Sequence, residues 1–180
     1  MNRRSFALAL TLSLAAVAGC GHRAPTADRT HAEAAMAALG TARALHHEAD
    51  VYEGAGDFER AAGAMRRVLD LRLPQGFEEA EDVRADAWGR LSELDLRRDQ
   101  PEQSLAHVDE GLRATPHESV LQARLYMVRG QALRVLAERA AASGDQATAA
   151  RRRDEALAAL ERSIEVNNRI LGRLTDGGRR

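Results

Sequence analysis

Turn-forming residues divide the sequence from Asp28 onward into six segments that are rich in strong helix formers. Ala, Leu, Arg and Glu dominate these segments and lose little side-chain freedom in a helix. The alternating pattern typical of strands does not occur. Breaks fall at 54–57, 73–76, 98–101, 115–116 and 143–145, and Gly177-Gly178 follows the last segment. The sequence therefore predicts an all-α chain of about six helices.

Apolar residues recur at helical spacing within these segments, for example Ala42, Leu45 and Ala49 in the first. About 160 residues follow position 19, which is a usual length for one domain with its own core. We therefore expect one helical-repeat domain over residues 29–174 and a disordered tail over 175–180.

Two pairs of segments resemble the tetratricopeptide repeat, a 34-residue helical hairpin with the pattern W-x2-L-G-x2-Y, then A-x3-F, then P. The second pair matches this pattern at Trp88, Leu91, Ser92, Ser104, Val108 and Pro116. The first pair matches it at Leu45, Ala49, Tyr52, Ala61 and Met65, with Pro74 one position late. The resemblance implies antiparallel helices that pair into hairpins.

A third pair fits the repeat more loosely, at Tyr126, Gly130, Leu133, Ala156 and Leu160, with 14 additional residues between its two halves. A helix from His117 to Ala142 and an equally long partner would make this third hairpin elongated, projecting beyond the other two, with a solvated tip. The resemblance implies that three hairpins stack into a short α-solenoid. A plain six-helix bundle is the alternative.

In the tetratricopeptide family the first helix of each hairpin lines a concave face that binds a protein or peptide. By this resemblance the partner-binding residues are Arg43, His46, Asp50, Glu53, Asp86, Glu93, Arg97, Arg124, Gln131 and Arg134. Their mixed charges lack the lysine and asparagine pattern that binds the carboxylate of chaperone C-termini. The partner class stays open, and a solvated helix surface is the alternative reading of every one of these residues.

Arg3 and Arg4 lie near the start of the sequence and are followed by an apolar run that ends near Val17. This run is too short to cross a bilayer and is typical of a cleaved signal peptide, here residues 1–19. The sequence Val17-Ala18-Gly19-Cys20 resembles the bacterial lipobox, which implies acylation of Cys20 and a short tether over residues 20–28. An ordinary signal peptide with a chance cysteine is the alternative.

The leader predicts a lipid-anchored protein of the bacterial cell envelope that faces the periplasm. Gly21 is not the aspartate that resembles an inner-membrane retention signal, which favours the outer membrane. Arg3-Arg4-Ser5-Phe6 also resembles a twin-arginine export motif. General secretion and twin-arginine export both remain open.

Charge and motif content argue against several classes of function. Without residues 1–19 the chain carries 24 basic and 27 acidic residues, a net charge of about −3, which disfavours nucleic acid as a partner. No phosphate-binding loop, nucleophile elbow or metalloprotease motif occurs, so we expect no enzyme and no cofactor. His46 and Asp50 share a helix face, but two ligands do not make a metal site.

These observations together predict a non-enzymatic, membrane-anchored scaffold or adaptor that binds a protein or peptide partner in the cell envelope. It resembles tetratricopeptide lipoproteins that assist outer-membrane protein, secretin or pilus assembly. A self-associating structural envelope lipoprotein, pairing through its long third hairpin, is the second hypothesis. An enzyme with an unrecognised site is the third.

Overall fold

The structure, a computed structural model, describes the backbone of residues 27–73 and 78–177, and the side chains of 31–73 and 79–175. These ranges contain six helices and no strand, which confirms the predicted all-α fold. The helices are α1 (Ala27–Gly54), α2 (Phe58–Leu69), α3 (Glu78–Arg97), α4 (Pro101–Ala114), α5 (Val120–Ala142) and α6 (Gln146–Gly177).

The same turn closes all three hairpins. In each turn one residue has a positive φ: Gly56 at 75°, Asp99 at 60° and Gly144 at 87°. The next amide donates to the carbonyl five residues earlier: Asp57 to Tyr52 at 2.8 Å, Gln100 to Asp95 at 2.8 Å, and Asp145 to Ala140 at 2.9 Å. This is the Schellman arrangement that ends a helix by satisfying its last carbonyls. The hairpins α1–α2, α3–α4 and α5–α6 are therefore structural repeats.

The hairpins stack in chain order into a short α-solenoid. Each helix packs against the next, and in addition α1 contacts α3 and α3 contacts α5. Within the described residues, no Cα atoms of α2, α4 and α6 come within 8 Å of one another, and the same holds for α1 and α6. The first helices of the hairpins thus form an inner layer with α2, α4 and α6 outside it. A closed bundle would bring the first and last helices together.

Small residues let the helices approach closely. Ala49 of α1 and Ala61 of α2 are completely buried, and they belong to a core that also contains Leu91 and Leu94 of α3. Gly111 of α4 leaves no room for a side chain. A Cβ added there would lie 2.8 Å from Leu125 Cδ2 and 2.9 Å from Trp88 Cβ. Contacts of this kind join each hairpin to the next.

The elongated third hairpin is confirmed by the lengths of α5 and α6, 23 and 32 residues. However, α5 begins at Val120 and not at His117, because the Ser119 hydroxyl accepts a hydrogen bond from the Gln122 amide and caps the helix. Near the tip, Arg139 donates to the carbonyl and carboxylate of Asp99, so the hairpin is tied to the α3–α4 turn. Residues 142–147 beyond this contact are exposed.

The predicted domain ends also shift. α1 starts at Ala27, within the segment we expected to be tether, and α6 continues to Gly177, within the expected disordered tail. Since α5 and α6 run antiparallel with Ser163 Oγ donating to the Ala123 carbonyl, about the last three turns of α6 extend past the start of α5. The predicted signal peptide over residues 1–19, the predicted lipidation site Cys20 and residues 178–180 lie outside the described residues.

Candidate functional site

The inner layer brings together six of the ten predicted partner-binding residues in one charged network. His46, Asp50 and Glu53 stand on α1, Asp86 and Glu93 on α3, and Arg124 on α5. The remaining four are placed differently. Arg43 lines a groove beside this network, Arg97 and Gln131 line a second groove farther along the inner face, and Arg134 lies between α5 and α6.

Arg90, which was not among the predicted site residues, joins α1 to α3. Its Nε donates to Glu53 Oε1 at 2.8 Å, its Nη2 donates to Asp50 Oδ1 at 2.5 Å, and its Nη1 donates to the His46 carbonyl at 3.2 Å. The side chain is only 15% exposed. The hydrogen bond from Arg90 holds the pKa of Asp50 below its usual value.

Arg124 makes the equivalent connection between α3 and α5. It binds Glu93 through two parallel hydrogen bonds, of 2.8 Å from Nε and 2.6 Å from Nη2, and it donates to Asp86 Oδ1 at 2.5 Å through Nη1. Hydrogen bonding to Glu93 outweighs burial and raises the pKa of Arg124. A planar guanidinium suits this two-sided geometry, which a lysine could not reproduce.

Arg90 and Arg124 lie 34 positions apart in the sequence, and each reaches back to two carboxylates on the first helix of the preceding hairpin. This spacing was no signal for Arg90 in the sequence, because the matched repeat positions Trp88 and Tyr126 lie 38 residues apart, so the two arginines are not at equivalent repeat positions. All four carboxylates have an arginine partner, but two arginines leave the network a net charge of −2. These residues hold the hairpins together, and each of these charged side chains is already engaged in an ion pair.

Beside the network, between α1 and α3, lies a groove of about 500 Å³. We call it the α1–α3 groove; its apolar lining residues are Leu39, Ala42, Val83 and Leu121, and its polar ones are Arg43, His46, His47, Asp50, Glu79, Asp82 and Asp86. Among the described residues, Arg43, Glu79 and Asp82 have no ion-pair partner. The groove thus joins an apolar surface to unneutralised charge, predominantly negative.

His46 lies where the network meets this groove. Its Nδ1 is 3.6 Å from Asp86 Oδ2, and its side chain is 19% exposed. Burial lowers the pKa of His46 below 6.5, and the nearby arginines Arg90 and Arg124 add to this effect, whereas Asp86 and Asp50 oppose it. At neutral pH the imidazole is therefore uncharged and can both donate and accept a hydrogen bond.

A second polar cluster, also absent from the sequence predictions, lies inside the second hairpin. Asp95 is completely buried, its Oδ2 is 2.6 Å from His107 Nδ1, and its Oδ1 accepts a hydrogen bond from Arg98 at 3.1 Å. The imidazole of His107 lies beside Trp88, with ring centroids 5.5 Å apart. Arg98 also pairs with Glu59 of α2. The contacts of this cluster join α3 to α4 through Asp95 and His107, and to α2 through Arg98 and Glu59.

The described aromatic side chains are occupied in packing. Tyr52, Phe58 and Tyr126 each lie under an arginine guanidinium, at 5.7, 5.3 and 5.9 Å from the ring centroid, and no described aromatic residue lines the α1–α3 groove. The groove therefore suits a peptide better than a flat aromatic ligand.

Over residues 27–73 and 78–177, no cluster of three or more His, Cys, Asp or Glu side chains is arranged to hold a metal ion. No helix in the same ranges has the length and apolar character needed to span a membrane. The sequence matches no protein-family model, and comparison with curated proteins finds no similar protein.

Proposed function

We propose that this chain is a non-enzymatic adaptor of the bacterial cell envelope, anchored through acylated Cys20, whose α1–α3 groove holds a segment of a protein partner. The single observation that carries the proposal is the composition of this groove. Its apolar residues can bury an apolar side chain of the partner, and the free carboxylates of Glu79 and Asp82 can pair with a cationic one. The expected ligand is an amphipathic segment carrying Lys or Arg.

The resemblance of the hairpins to tetratricopeptide repeats supports this use of the inner face. The same turn closes all three hairpins, as expected of repeated units, although Gly56, Asp99 and Gly144 lie 43 and 45 residues apart and not 34. On the same resemblance, the pathways to consider first are the assembly of outer-membrane proteins, secretins or pili. The relevant partners would be membrane-bound components of such an assembly.

The anchor and the groove lie close together along the chain. Only residues 21–26 separate Cys20 from the start of α1, which limits their reach to about 25 Å. Leu39, the first groove residue, follows the start of α1 by twelve positions, about 18 Å along the helix axis. A partner in the groove would be held within roughly 45 Å of the bilayer. Confinement of this kind raises the effective concentration of membrane-bound partners, so a modest affinity suffices.

In-cell crosslinking tests the groove. A photoreactive residue at Val83 of the full chain should trap a distinct envelope protein. Replacing Glu79→Gln together with Asp82→Asn should reduce this product about tenfold, because the cationic side chain loses both acidic partners. The matched control, Glu102→Gln with Glu110→Gln, removes two negative charges from α4 outside the groove and should leave the product unchanged. Equal loss in both variants, or no product at all, would refute the proposed groove.

The anchor has a separate test. With Cys20→Ser, the mature protein should lose the mass of its acyl chains and leave the membrane fraction. An unchanged mass and an unchanged membrane fraction would show that Cys20 carries no lipid. Crosslinking through position 83 can be repeated in detergent extracts, where the protein is no longer held at a membrane. This measurement tests the groove separately from the anchor.

A further inference from the structure

The outer helix of the last hairpin, α6, carries a row of exposed apolar side chains. Leu157, Ile164 and Leu171 are 58%, 58% and 59% exposed, and Leu160 and Leu174 are 37% and 69% exposed. Leu157, Ile164 and Leu171 are seven residues apart and can be assigned to position a of successive heptads. Leu160 and Leu174 each follow an a residue by three and therefore occupy position d. Asn167 fills the remaining d position. We call these six residues the α6 stripe.

In the preceding hairpin the equivalent surface is covered. There Leu125 of α5 packs on Gly111 of α4 and on Trp88 of α3, and α5 fills the space between those helices. In the third hairpin, a groove of about 240 Å³ lies between Gly130 of α5 and Leu157 of α6, and no described element occupies it. Terminal repeats of solenoids usually present a polar outer face, and a contiguous apolar one marks an interaction surface.

We propose that the α6 stripe is a self-association surface, on which a second copy of this chain packs its own α6 in the antiparallel direction. In an antiparallel pair, heptad a positions face d positions of the other helix. The two copies are related by a two-fold axis that passes midway between Ile164 and Asn167 along the helix. The facing pairs are then Leu157 with Leu174, Leu160 with Leu171, and Ile164 with Asn167.

This pairing makes the apolar row self-complementary over its whole length of about 25 Å. The two copies of Asn167 lie near the centre, about 4.5 Å apart along the axis, so their amides can hydrogen-bond to each other. A single buried asparagine pair is a known means of fixing the register of paired helices. A shift of one heptad would separate the asparagines and expose one end of the row.

Charge favours the antiparallel direction over the parallel one. Arg153 lines the α5–α6 groove at the d position before Leu160, and it has no ion-pair partner among the described residues. In a parallel pair Arg153 would face its own copy, whereas in the antiparallel pair it lies beside the end of the other α6, where backbone carbonyls are partly negative. Glu161, at a flanking e position, faces the neutral Asn168 of the second copy.

Disulfide trapping of the full chain tests this arrangement, since Cys20 is the only native cysteine. Under mild oxidation, Leu157→Cys with Leu174→Cys should give a covalent dimer in more than half of the protein. Leu157→Cys alone should give no more dimer than the parent chain, because the two copies of position 157 lie about 25 Å apart. Dimer from Leu157→Cys alone would indicate parallel pairing, and no dimer from the double variant would indicate no pairing. Either result overturns the proposal.

A second set of variants shows whether the stripe drives the association. Adding Ile164→Glu and Leu171→Glu to the double-cysteine chain should lower the covalent dimer at least tenfold, because like charges enter the apolar pair. Both positions are exposed, so the fold should persist, as circular dichroism would verify. Met36→Glu with Val51→Glu, at two exposed sites on α1 (64% and 70%), is the matched control and should leave the dimer unchanged. Trapping of a different protein at these cysteines would also overturn the proposal.

Discussion

The carboxylate of Asp95 lies 2.6 Å from the imidazole of His107 and is completely buried between α3 and α4. Replacing Asp95→Ala leaves N–H groups of His107 and Arg98 in the core without their acceptor. We expect the free energy of unfolding to fall by about 3 kcal/mol, measured by chemical denaturation of the full chain in detergent. Glu59→Gln, which removes the exposed partner of Arg98, should cost less than about 1 kcal/mol. Similar losses in both variants would contradict this account.

Arg124 should not tolerate a lysine. Arg124→Lys keeps the charge but cannot reach Glu93 through two parallel hydrogen bonds and Asp86 through a third. We expect a loss of about 1 kcal/mol in the free energy of unfolding. Arg113→Lys is the control, because Arg113 is 68% exposed and pairs only within α4, and it should change stability by less than about 0.5 kcal/mol. Equal effects would mean that Arg124 contributes only its charge.

Gly111 is required by close packing, and Gly63 is not. A methyl group at position 111 would lie 2.8 Å from Leu125 Cδ2, so Gly111→Ala should destabilise the protein by about 1–3 kcal/mol. At Gly63 of α2 no atom lies within 4 Å of the added Cβ. Gly63→Ala should therefore stabilise the protein by about 0.5–1 kcal/mol through helix propensity. Thermal unfolding followed by circular dichroism distinguishes the two signs, and a stabilising Gly111→Ala would refute the close contact.

In the three hairpin turns, replacing a glycine should reduce stability, whereas introducing a glycine should not. Gly56→Ala and Gly144→Ala place a side chain at φ of 75° and 87° and should each cost about 1 kcal/mol. Asp99 already occupies this region at 60°, so Asp99→Gly relieves strain, although it also removes the exposed pair with Arg139. We expect no net destabilisation from Asp99→Gly in denaturant titrations. A loss as large as that of the glycine variants would show that the Arg139 pair dominates.

His46 should make stability dependent on pH. Burial lowers the pKa of His46 in the folded state below its ordinary value of 6.5, so the unfolded chain binds the proton first as pH falls. The contribution of the neutral imidazole is therefore complete above 6.5 and is lost as pH decreases towards the lowered folded pKa. Comparing denaturation at about pH 7.5 and about pH 5.5, His46→Gln should show a smaller loss of stability than the parent chain.

His31→Gln, at an exposed position of α1, is the matched control for that experiment. An identical pH dependence in the parent chain and in His46→Gln would exclude a linkage between His46 protonation and folding.

Local signals were sufficient to predict the helices and their pairing. Turn residues such as Gly56 and Gly144 interrupt helix-forming segments, and both the helical propensity and the αL conformation depend on the residue and its near neighbours. The predicted interior positions Ala42, Leu45, Ala49 and Leu91 are buried, because one apolar face per helix must turn inward. Helix ends were less accurate, since Ser119 caps α5 and the helix begins at Val120, three residues after the predicted start.

The candidate site could be predicted only in part. His46, Asp50, Glu53 and Asp86 were expected on the inner face and lie there, but their charges are largely engaged by Arg90 and Arg124. Which carboxylate meets which arginine depends on how far each helix is rotated about its axis and displaced along it. That relation is set by the packing of distant small residues, which a single sequence does not display.

The sequence by itself determined six helices, three hairpins and the positions that turn inward, because propensity, periodicity and turn geometry act over a few residues. Only the tertiary structure decided which inner-face charges pair with one another, that Glu79 and Asp82 border an apolar groove, and that the α6 stripe stays uncovered. The pairing of the inner-face charges, for example, depends on contacts between residues 30 to 40 positions apart in the sequence. The free surface of a repeat protein is what remains after stacking, and the stacking is a property of the whole chain.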